Sequence, residues 1–331
     1  MRALWKQLRY RFEWLALMLT AKIVPLFSRS VCSALGRLLG ALAFMVDARS
    51  RRVALSNLES AFGDQISDAD RRIIARQSFQ QFARTMLELF WSPNLSAQNL
   101  SHYVEMENLD EVKALADRGP LIVAVPHYGN WEWLSAACAY KVKPGTIIMQ
   151  EFKNSLLDPI FRTLREHSGH ELIAQERGVL KLYKALRRGG AIALLLDLTL
   201  PPREGAVVID CFGLKTSVTA AHVWLSKQTG APIVVGHSQP MPDGRYRVVF
   251  YPPIFPADQA SDREIAQNCW NLVEPAIARD PAPWLWMYKH WRYRPTVTRQ
   301  RYPDYAQSSP RFDRLIAASD SVAPPQGRSN A

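Results

Sequence analysis

The chain has 331 residues, of which 48% are hydrophobic and 10% aromatic, and it carries 41 Lys or Arg against 30 Asp or Glu, a net charge of +11. This length accommodates one large domain or two small ones, and the composition excludes a disordered or low-complexity protein. Four scattered cysteines with no CxxC pair argue against a disulfide framework, a zinc knuckle or an iron–sulfur cluster, and fit a reducing compartment.

Most of the excess positive charge lies at the start of the chain. Residues 1–52 contain ten bases and two acids, a net charge of +8, which is not the even distribution expected of a basic nucleic-acid-binding protein. Two apolar stretches, 14–27 and 31–46, lie among these bases. Neither is a clean uncharged span of about 20 residues. One tilted span, a pair of helices in the headgroup layer and an ordinary buried helix pair therefore all stay open. We predict that residues 1–52 anchor the protein to an anionic membrane.

The rest of the chain divides into helical and strand patterns. Ser67 is a good N-cap, and apolar residues at helical spacing predict a helix from there to Trp91. The predicted strands are 121–125, 146–149, 191–196, 206–209, 233–236 and 245–251. The predicted helices are 131–140, 156–167, 179–188, 218–228 and 262–278. Strands that alternate with helices predict an α/β fold with a mostly parallel central sheet flanked by helices. We assign this domain to residues 53–298 and predict a disordered tail over 299–331.

The segment 121–133 holds the strongest candidate site. His127 directly follows an apolar strand, and Glu132 lies in the first turn of the next predicted helix. Ligands of open α/β sheets bind beyond the carboxyl ends of the strands. An acid within reach of the histidine would fix its tautomer and stabilise the imidazolium that forms when it takes a proton. Gly129 allows a tight turn, so that a substrate can approach the backbone N–H groups of Gly129 and Asn130 near the helix start.

The His-x4-acid spacing is weak support by itself. His102 and Glu107 also match it, although they follow a loop rather than an apolar strand. A loop histidine that satisfies backbone groups is the alternative interpretation of His127.

Further motifs occur in a fixed order along the chain. They are Pro126-His127…Glu132, Ser56-Asn57-Leu58…Ala61-Phe62, Asn154…Asp158…Arg162…Arg165, Leu186…Gly190 with Asp197, Phe212-Gly213, Thr229…Pro232 and Pro283…Arg292. In the order and spacing of these motifs along the chain, from about residue 14 to 294, the sequence resembles the lipid A biosynthesis (lauroyl/myristoyl) acyltransferases, within the glycerolipid acyltransferase superfamily. It departs from the family pattern at Met149 and Gln150, where Tyr-Arg is common, and at Thr199, where a second acid is common.

The resemblance implies transfer of a fatty acyl chain from acyl carrier protein, or from acyl-CoA, to a hydroxyl of a lipid A precursor at the cytoplasmic face of the inner membrane. It assigns His127 as general base and Glu132 as its orienting acid. Arg165, with Arg162 as the alternative, would stabilise the oxyanion or hold a phosphate, and solvated helix bases are the other interpretation. Asp197 would pair with one of these arginines or form a strand-end turn.

Other sequence features leave alternatives open. The aromatic segment 284–293 fits a structural closing segment better than base stacking on nucleic acid. Residues 216–219 are predicted to form a loop and helix start near the site. No nucleotide, flavin, serine-hydrolase or metal motif is present, so we expect no cofactor and no metal. Two other functions stay open: acyl transfer to a lysophospholipid or another glycolipid, and non-catalytic membrane-surface binding.

Overall fold

The computed structural model describes residues 2–256 and 261–320. Its helices are α1 (Arg2–Ile23), α2 (Arg29–Val46), α3 (Ala48–Phe62), α4 (Asp68–Trp91), α5 (Leu109–Arg118), α6 (Trp131–Lys141), α7 (Asp158–Glu166), α8 (Gly178–Arg187), α9 (Ala221–Thr229), α10 (Asp262–Arg279) and α11 (Pro310–Asp320). Its strands are β1 (Val104–Glu107), β2 (Leu121–Val125), β3 (Gly145–Met149), β4 (Glu171–Ala174), β5 (Ala191–Leu195), β6 (Ala206–Cys211), β7 (Leu214–Thr219), β8 (Ile233–Pro240), β9 (Tyr246–Phe250), β10 (Tyr293–Arg294) and β11 (Gln307–Ser308).

The central sheet has seven strands in the order β1-β9-β8-β2-β5-β3-β4. The five strands from β8 to β4 are parallel, whereas β9 pairs with β8 in the antiparallel sense. The predicted α/β class with a mostly parallel sheet is therefore confirmed. Strand β2 lies inside the sheet and is buried at every residue, which explains why it is a continuous apolar run rather than an alternating one.

Two hydrophobic cores cover the two faces of the sheet. Ile122 and Ala124 of β2 face a core that includes side chains of α8, α9 and α10. Leu121, Val123 and Val125 face the other core, which includes side chains of α5, α6 and α7. This alternation along one strand places the loop after β2 between the two helical layers.

The N-terminal helices pack on the α/β domain. Ser67 caps α4 by accepting from the Asp70 amide, as predicted. Helix α2 runs against α4, and a Cβ placed on Gly40 would lie 2.3 Å from the Gln80 Cα. The two backbones are so close that only glycine fits at this position.

The structure contains strands β1 and β4, which the sequence analysis does not predict, and it contradicts the sequence-based prediction in two further places. Residues 216–219 belong to β7, which forms an antiparallel hairpin with β6, instead of starting a helix. The prediction of a disordered tail is wrong for residues 307–320, because β11 pairs with β10 and α11 packs its fully buried Phe312 against the domain. It is also wrong at residues 302–305, because Tyr302 is buried in the core and the Tyr305 hydroxyl donates to Asn57. Residues 321–331 of the predicted tail lie outside the described residues.

Candidate active site

His127 and Asp197 meet beyond the carboxyl ends of two adjacent strands. The ends of β2 and β5 are paired in register, Val125 with Leu195, and each site residue lies two positions further along its chain. The Asp197 carboxylate binds His127 twice: Oδ1 lies 2.8 Å from the ring Nδ1, and Oδ2 accepts from the backbone N–H at 2.8 Å. The sheet register therefore fixes both the ring and the backbone of His127 relative to the carboxylate.

Asp197 is buried, yet its surroundings favour the ionised form. Burial raises the pKa of its carboxyl, but the charge and hydrogen bonds of His127, together with His290, outweigh this and lower the pKa to about 2. The indole Nε1 of Trp284 donates a third hydrogen bond to Oδ2, at 3.0 Å. An ionised carboxylate only accepts hydrogen bonds, so the His127 Nδ1 is the donor, and the tautomer that this favours has its lone pair on Nε2.

The imidazole of His127 is partly accessible. Its side chain is 13% exposed, and the structure gives its Nε2 no hydrogen bond to any residue in the ranges 2–256 and 261–320. The Trp131 ring lies edge-on with centroids 5.0 Å apart, and the Tyr288 ring is 6.5 Å away. This arrangement limits rotation of the ring while leaving one nitrogen without a protein partner among the described residues.

Glu132 does not orient His127, and this part of the sequence-based prediction is wrong. Glu132 makes a two-point ion pair with Arg165 instead, with Oε2 to Nε at 3.0 Å and Oε1 to Nη2 at 2.6 Å. The charge of Glu132 raises the pKa of Arg165. The physical reason is geometric: the first turn of α6 points Glu132 toward α7, where a guanidinium matches the carboxylate at both oxygens.

The prediction that Asp197 pairs with an arginine is also wrong, since its partners are His127 and Trp284. Arg162 forms an ion pair with Glu166 on its own helix and donates to the Leu172 carbonyl, so the structure does not join it to the site.

Gly129 and Asn130 have structural roles in the loop. Gly129 has φ +62°, and a Cβ there would lie 1.6 Å from the Ser238 carbonyl oxygen, so both the turn and the close approach need glycine. Its N–H donates to the Pro283 carbonyl at 3.1 Å, so this amide is not offered to a substrate as we predicted. The Asn130 side chain caps α6 by accepting from the Trp133 amide.

A buried charge cluster beneath the loop was not predicted. Glu88 is fully buried in α4, where Asn130 Nδ2 donates to it at 2.7 Å and the Tyr246 hydroxyl at 2.6 Å. Arg29 and Arg84 lie 3.3 and 3.1 Å from its other oxygen. Its sequence signal was slight, an acid among the apolar residues near the end of a helix.

Trp284 and His290 are the other residues that the sequence did not identify. Their rings stack with centroids 3.9 Å apart, and burial lowers the pKa of His290 to about 4, so it is neutral near pH 7. Both lie in the predicted structural closing segment 284–293, and nothing in the composition of that segment singles out the indole that reaches Asp197. Among the described residues no group of three His, Cys, Asp or Glu side chains could hold a metal ion.

The imidazole–carboxylate pair lies at the carboxyl edge of a mostly parallel sheet, the place where open α/β folds bind ligands. The family described as bacterial lipid A biosynthesis acyltransferase matches residues 2–293, and the chain belongs to this family. It is therefore an acyltransferase, as the sequence motifs indicated.

Individual relatives and a solved structure are also similar. The lipid A biosynthesis lauroyltransferase of Escherichia coli K12 is 27% identical over 89% of this chain and 95% of its own length. A phosphatidylinositol mannoside acyltransferase of Mycolicibacterium smegmatis is 25% identical over 71% of this chain and 77% of its own length. The crystal structure of the 1-acyl-sn-glycerophosphate acyltransferase of Thermotoga maritima matches with a TM-score of 0.40 and 14% identity, covering 78% of this chain and 99% of that one.

Proposed function

We propose that the protein transfers a fatty acyl chain from a thioester, carried by acyl carrier protein, to a hydroxyl of a lipid A precursor. The observation that carries the proposal is the Asp197–His127 pair at the carboxyl edge of the sheet in a chain of this acyltransferase family. An alcohol is a poor nucleophile at neutral pH, and a base with a fixed tautomer is what the reaction requires.

The proposed reaction is a direct transfer. His127 Nε2 takes the proton of the acceptor hydroxyl while its oxygen attacks the thioester carbonyl carbon. The tetrahedral intermediate then breaks its C–S bond, and the leaving sulfur takes the proton back from the imidazolium. All four cysteines are buried, and burial raises the pKa of Cys138 and Cys269 to about 12, so these thiols are not suited to carry the acyl group.

Glu132 acts in this proposal through Arg165. The Arg165 side chain is 27% exposed and held at two points by Glu132, whose side chain is 7% exposed. A guanidinium fixed in this way is suited to stabilise the oxyanion of the intermediate or to hold a phosphate.

We place the protein at the cytoplasmic face of the inner membrane, held by α1 and α2. Large apolar side chains of α1 are exposed at helical spacing in a single stripe. They are Leu4, Leu8, Phe12, Leu15, Leu19 and Ile23. Trp14, Leu17 and Ala21 lie against the core on the other side of α1. Such a helix buries one face in protein and offers the other to lipid.

Helix α2 is, within the described part of the chain, the one helix long and apolar enough to cross a bilayer. It packs closely along α4, with Gly36 against the backbone of Arg84 and Gly40 against that of Gln80. A spanning α2 would take these polar residues of α4 into the hydrocarbon region, where polar side chains are costly. An in-plane anchor therefore fits this packing better than a span.

A second acceptor class has one observation in its favour: a relative that is 25% identical over 71% of this chain is named a phosphatidylinositol mannoside acyltransferase. The deciding experiment supplies a labelled acyl thioester to membranes and identifies the lipid that gains the label. Label in lipid A precursors supports the proposal, and label only in phospholipid or another glycolipid contradicts it. A His127→Ala variant that still binds membranes is the control for catalysis.

A further inference from the structure

Helices α8 and α9 present an apolar surface to solvent on one face of the sheet. Val179 and Leu180 on α8 are 40% and 49% exposed, and Trp224 on α9 is 41% exposed. Tyr183 follows Val179 by one helical turn, and its ring contacts Trp224 with centroids 5.9 Å apart. These four side chains form one continuous patch, which we call the α8–α9 surface.

The α8–α9 surface is bordered by positive charge. Five bases lie within twelve residues of α8 and its ends: Arg177, Lys181, Lys184, Arg187 and Arg188. All five residues are exposed, and no acid occurs between the first and the last of them, although Glu176 precedes them. None of the five forms an ion pair with a residue of the described ranges. Unpaired bases around exposed apolar side chains complement an acidic protein surface.

The position of this surface relates it to the site. Strand β4 runs parallel to β2, so α8, which follows β4, begins at the same edge of the sheet as His127. Helix α9 precedes the parallel strand β8, so its first turn, with Trp224, lies at that edge as well. A carrier bound here would stand beside the carboxyl edge, where a flexible prosthetic arm can deliver a thioester.

Membrane contact is the competing explanation for an apolar and basic surface. The exposed apolar stripe of α1, the proposed lipid contact, belongs to a helix that packs with the α5–α7 core layer, whereas α8 and α9 cover the opposite face of the sheet. Helix α2 contributes Cys32 to the α5–α7 layer and reaches the other layer through Ala43 and Phe44 near its end. We therefore propose that the α8–α9 surface docks the acidic acyl carrier protein that brings the donor thioester. This inference rests on the proposed function and adds the place where its protein partner binds.

The test is charge reversal of Lys181→Glu with Lys184→Glu in the full-length protein. The matched control reverses Lys113 and Arg118 on α5, two exposed bases on the other face of the sheet. For the acyl carrier protein thioester we expect KM to rise about tenfold or more with kcat changed less than about twofold, because rim charges govern encounter rather than chemistry. The same acyl chain on pantetheine, an uncharged donor, should be used equally well by both variants and the wild type. Trp224→Ala should weaken the carrier in the same selective way.

Each other outcome has a defined meaning. An unchanged KM of the α8 variant for the carrier thioester overturns the docking assignment and leaves the proposed acyl transfer intact. An equal loss of activity with the carrier thioester and the pantetheine thioester has the same meaning. Loss of binding to anionic vesicles in the α8 variant assigns this surface to the membrane and overturns the inference. Wild-type protein that uses the pantetheine thioester but not the carrier also overturns it. Transfer from neither donor by the wild type contradicts the proposed function itself.

Discussion

Two acid–base pairs flank the loop after β2, and they differ in burial and in the group that each carboxylate fixes in place. Asp197 and His127 are joined through the register of two adjacent strands, and the carboxylate is almost completely buried. Glu132 and Arg165 join two helices on one side of the sheet, and the arginine side chain remains 27% exposed. The first pair fixes the tautomer of the His127 imidazole, whereas the second fixes the position of the Arg165 guanidinium.

This comparison shows that a motif spacing need not be a contact. The acid five residues after the histidine belongs to α6, and the helix turns it away toward α7. The acid that reaches the imidazole is 70 residues further along the chain. Both acids serve the proposed site, one through hydrogen bonds to the base and one through a guanidinium.

The largest expected effect is that of His127→Ala. Removal of the base should lower kcat by about 10³- to 10⁴-fold, at the upper end of general-base contributions. The measurement is transfer of labelled acyl chain into lipid, with circular dichroism and vesicle binding as folding controls. Activity within tenfold of wild type would remove His127 from the mechanism.

Asp197→Asn should have the next largest effect. We expect kcat to fall by about 10³-fold with KM little changed, because the amide no longer enforces the Nδ1–H tautomer of His127. Steady-state kinetics at fixed acceptor concentration measures this split. A variant with normal kcat would show that the carboxylate is only structural.

Glu132→Gln should cost about 10²-fold in kcat/KM, since it releases the guanidinium that the proposal places at the oxyanion or at a phosphate. Arg162→Gln is the matched control on the same helix and should stay within about twofold of wild type. Equal loss in both variants would contradict the assignment to Arg165.

Trp284→Phe keeps an aromatic side chain but removes the indole N–H that donates to Asp197. We expect a loss of about tenfold in kcat, with the acid limb of the pH–rate profile moved to higher pH, because the carboxylate then stabilises the imidazolium more strongly. A purely structural role would lower activity without moving that limb, so the profile distinguishes the two.

The smallest effect concerns stability in acid. Burial lowers the pKa of His222, His237 and His290 to about 4. The unfolded chain therefore binds more protons than the folded one between about pH 6.5 and 4, and stability is lost as the pH falls through this window.

His237 tests this expectation because its ring stacks on Tyr251 and its Nδ1 has no partner among the described residues. The Tm of His237→Phe should fall less than that of wild type between pH 7.5 and 5, whereas His102→Phe, at an exposed position, should behave like wild type. An unchanged pH dependence in His237→Phe would show that burial does not lower the pKa of this imidazole.

Much of the fold follows from local patterns. Strand β2 was predicted to the residue because it is a buried apolar run between a turn and a helix start. Strands β1 and β4 have four residues each, too few for a clear pattern, and two of those in β1 are glutamates. The ordered segment 307–320 was missed because its packing depends on Phe312 meeting a surface distant in sequence.

The site was predicted only in part for a related reason. His127 is identified by its place after a strand, but its partner depends on β5 being the neighbour of β2. Strand order is set by packing of the whole sheet and cannot be predicted from the residues of β2 or β5 alone. Trp284 reaches Asp197 from a segment 87 residues away, for which composition gives no signal.

The most direct test of the central claim, that Asp197 rather than Glu132 orients His127, is a pair of double-mutant cycles on kcat/KM. We expect Glu132→Gln and Arg165→Gln together to be no worse than the more damaging single change, because they remove one interaction. In the Glu132→Gln and Asp197→Asn double variant, the fold-losses in kcat/KM of the two single changes should multiply, because the two residues belong to different pairs. The claim is contradicted if the losses multiply in the Glu132/Arg165 cycle, while the Glu132/Asp197 double variant is no worse than its more damaging single change.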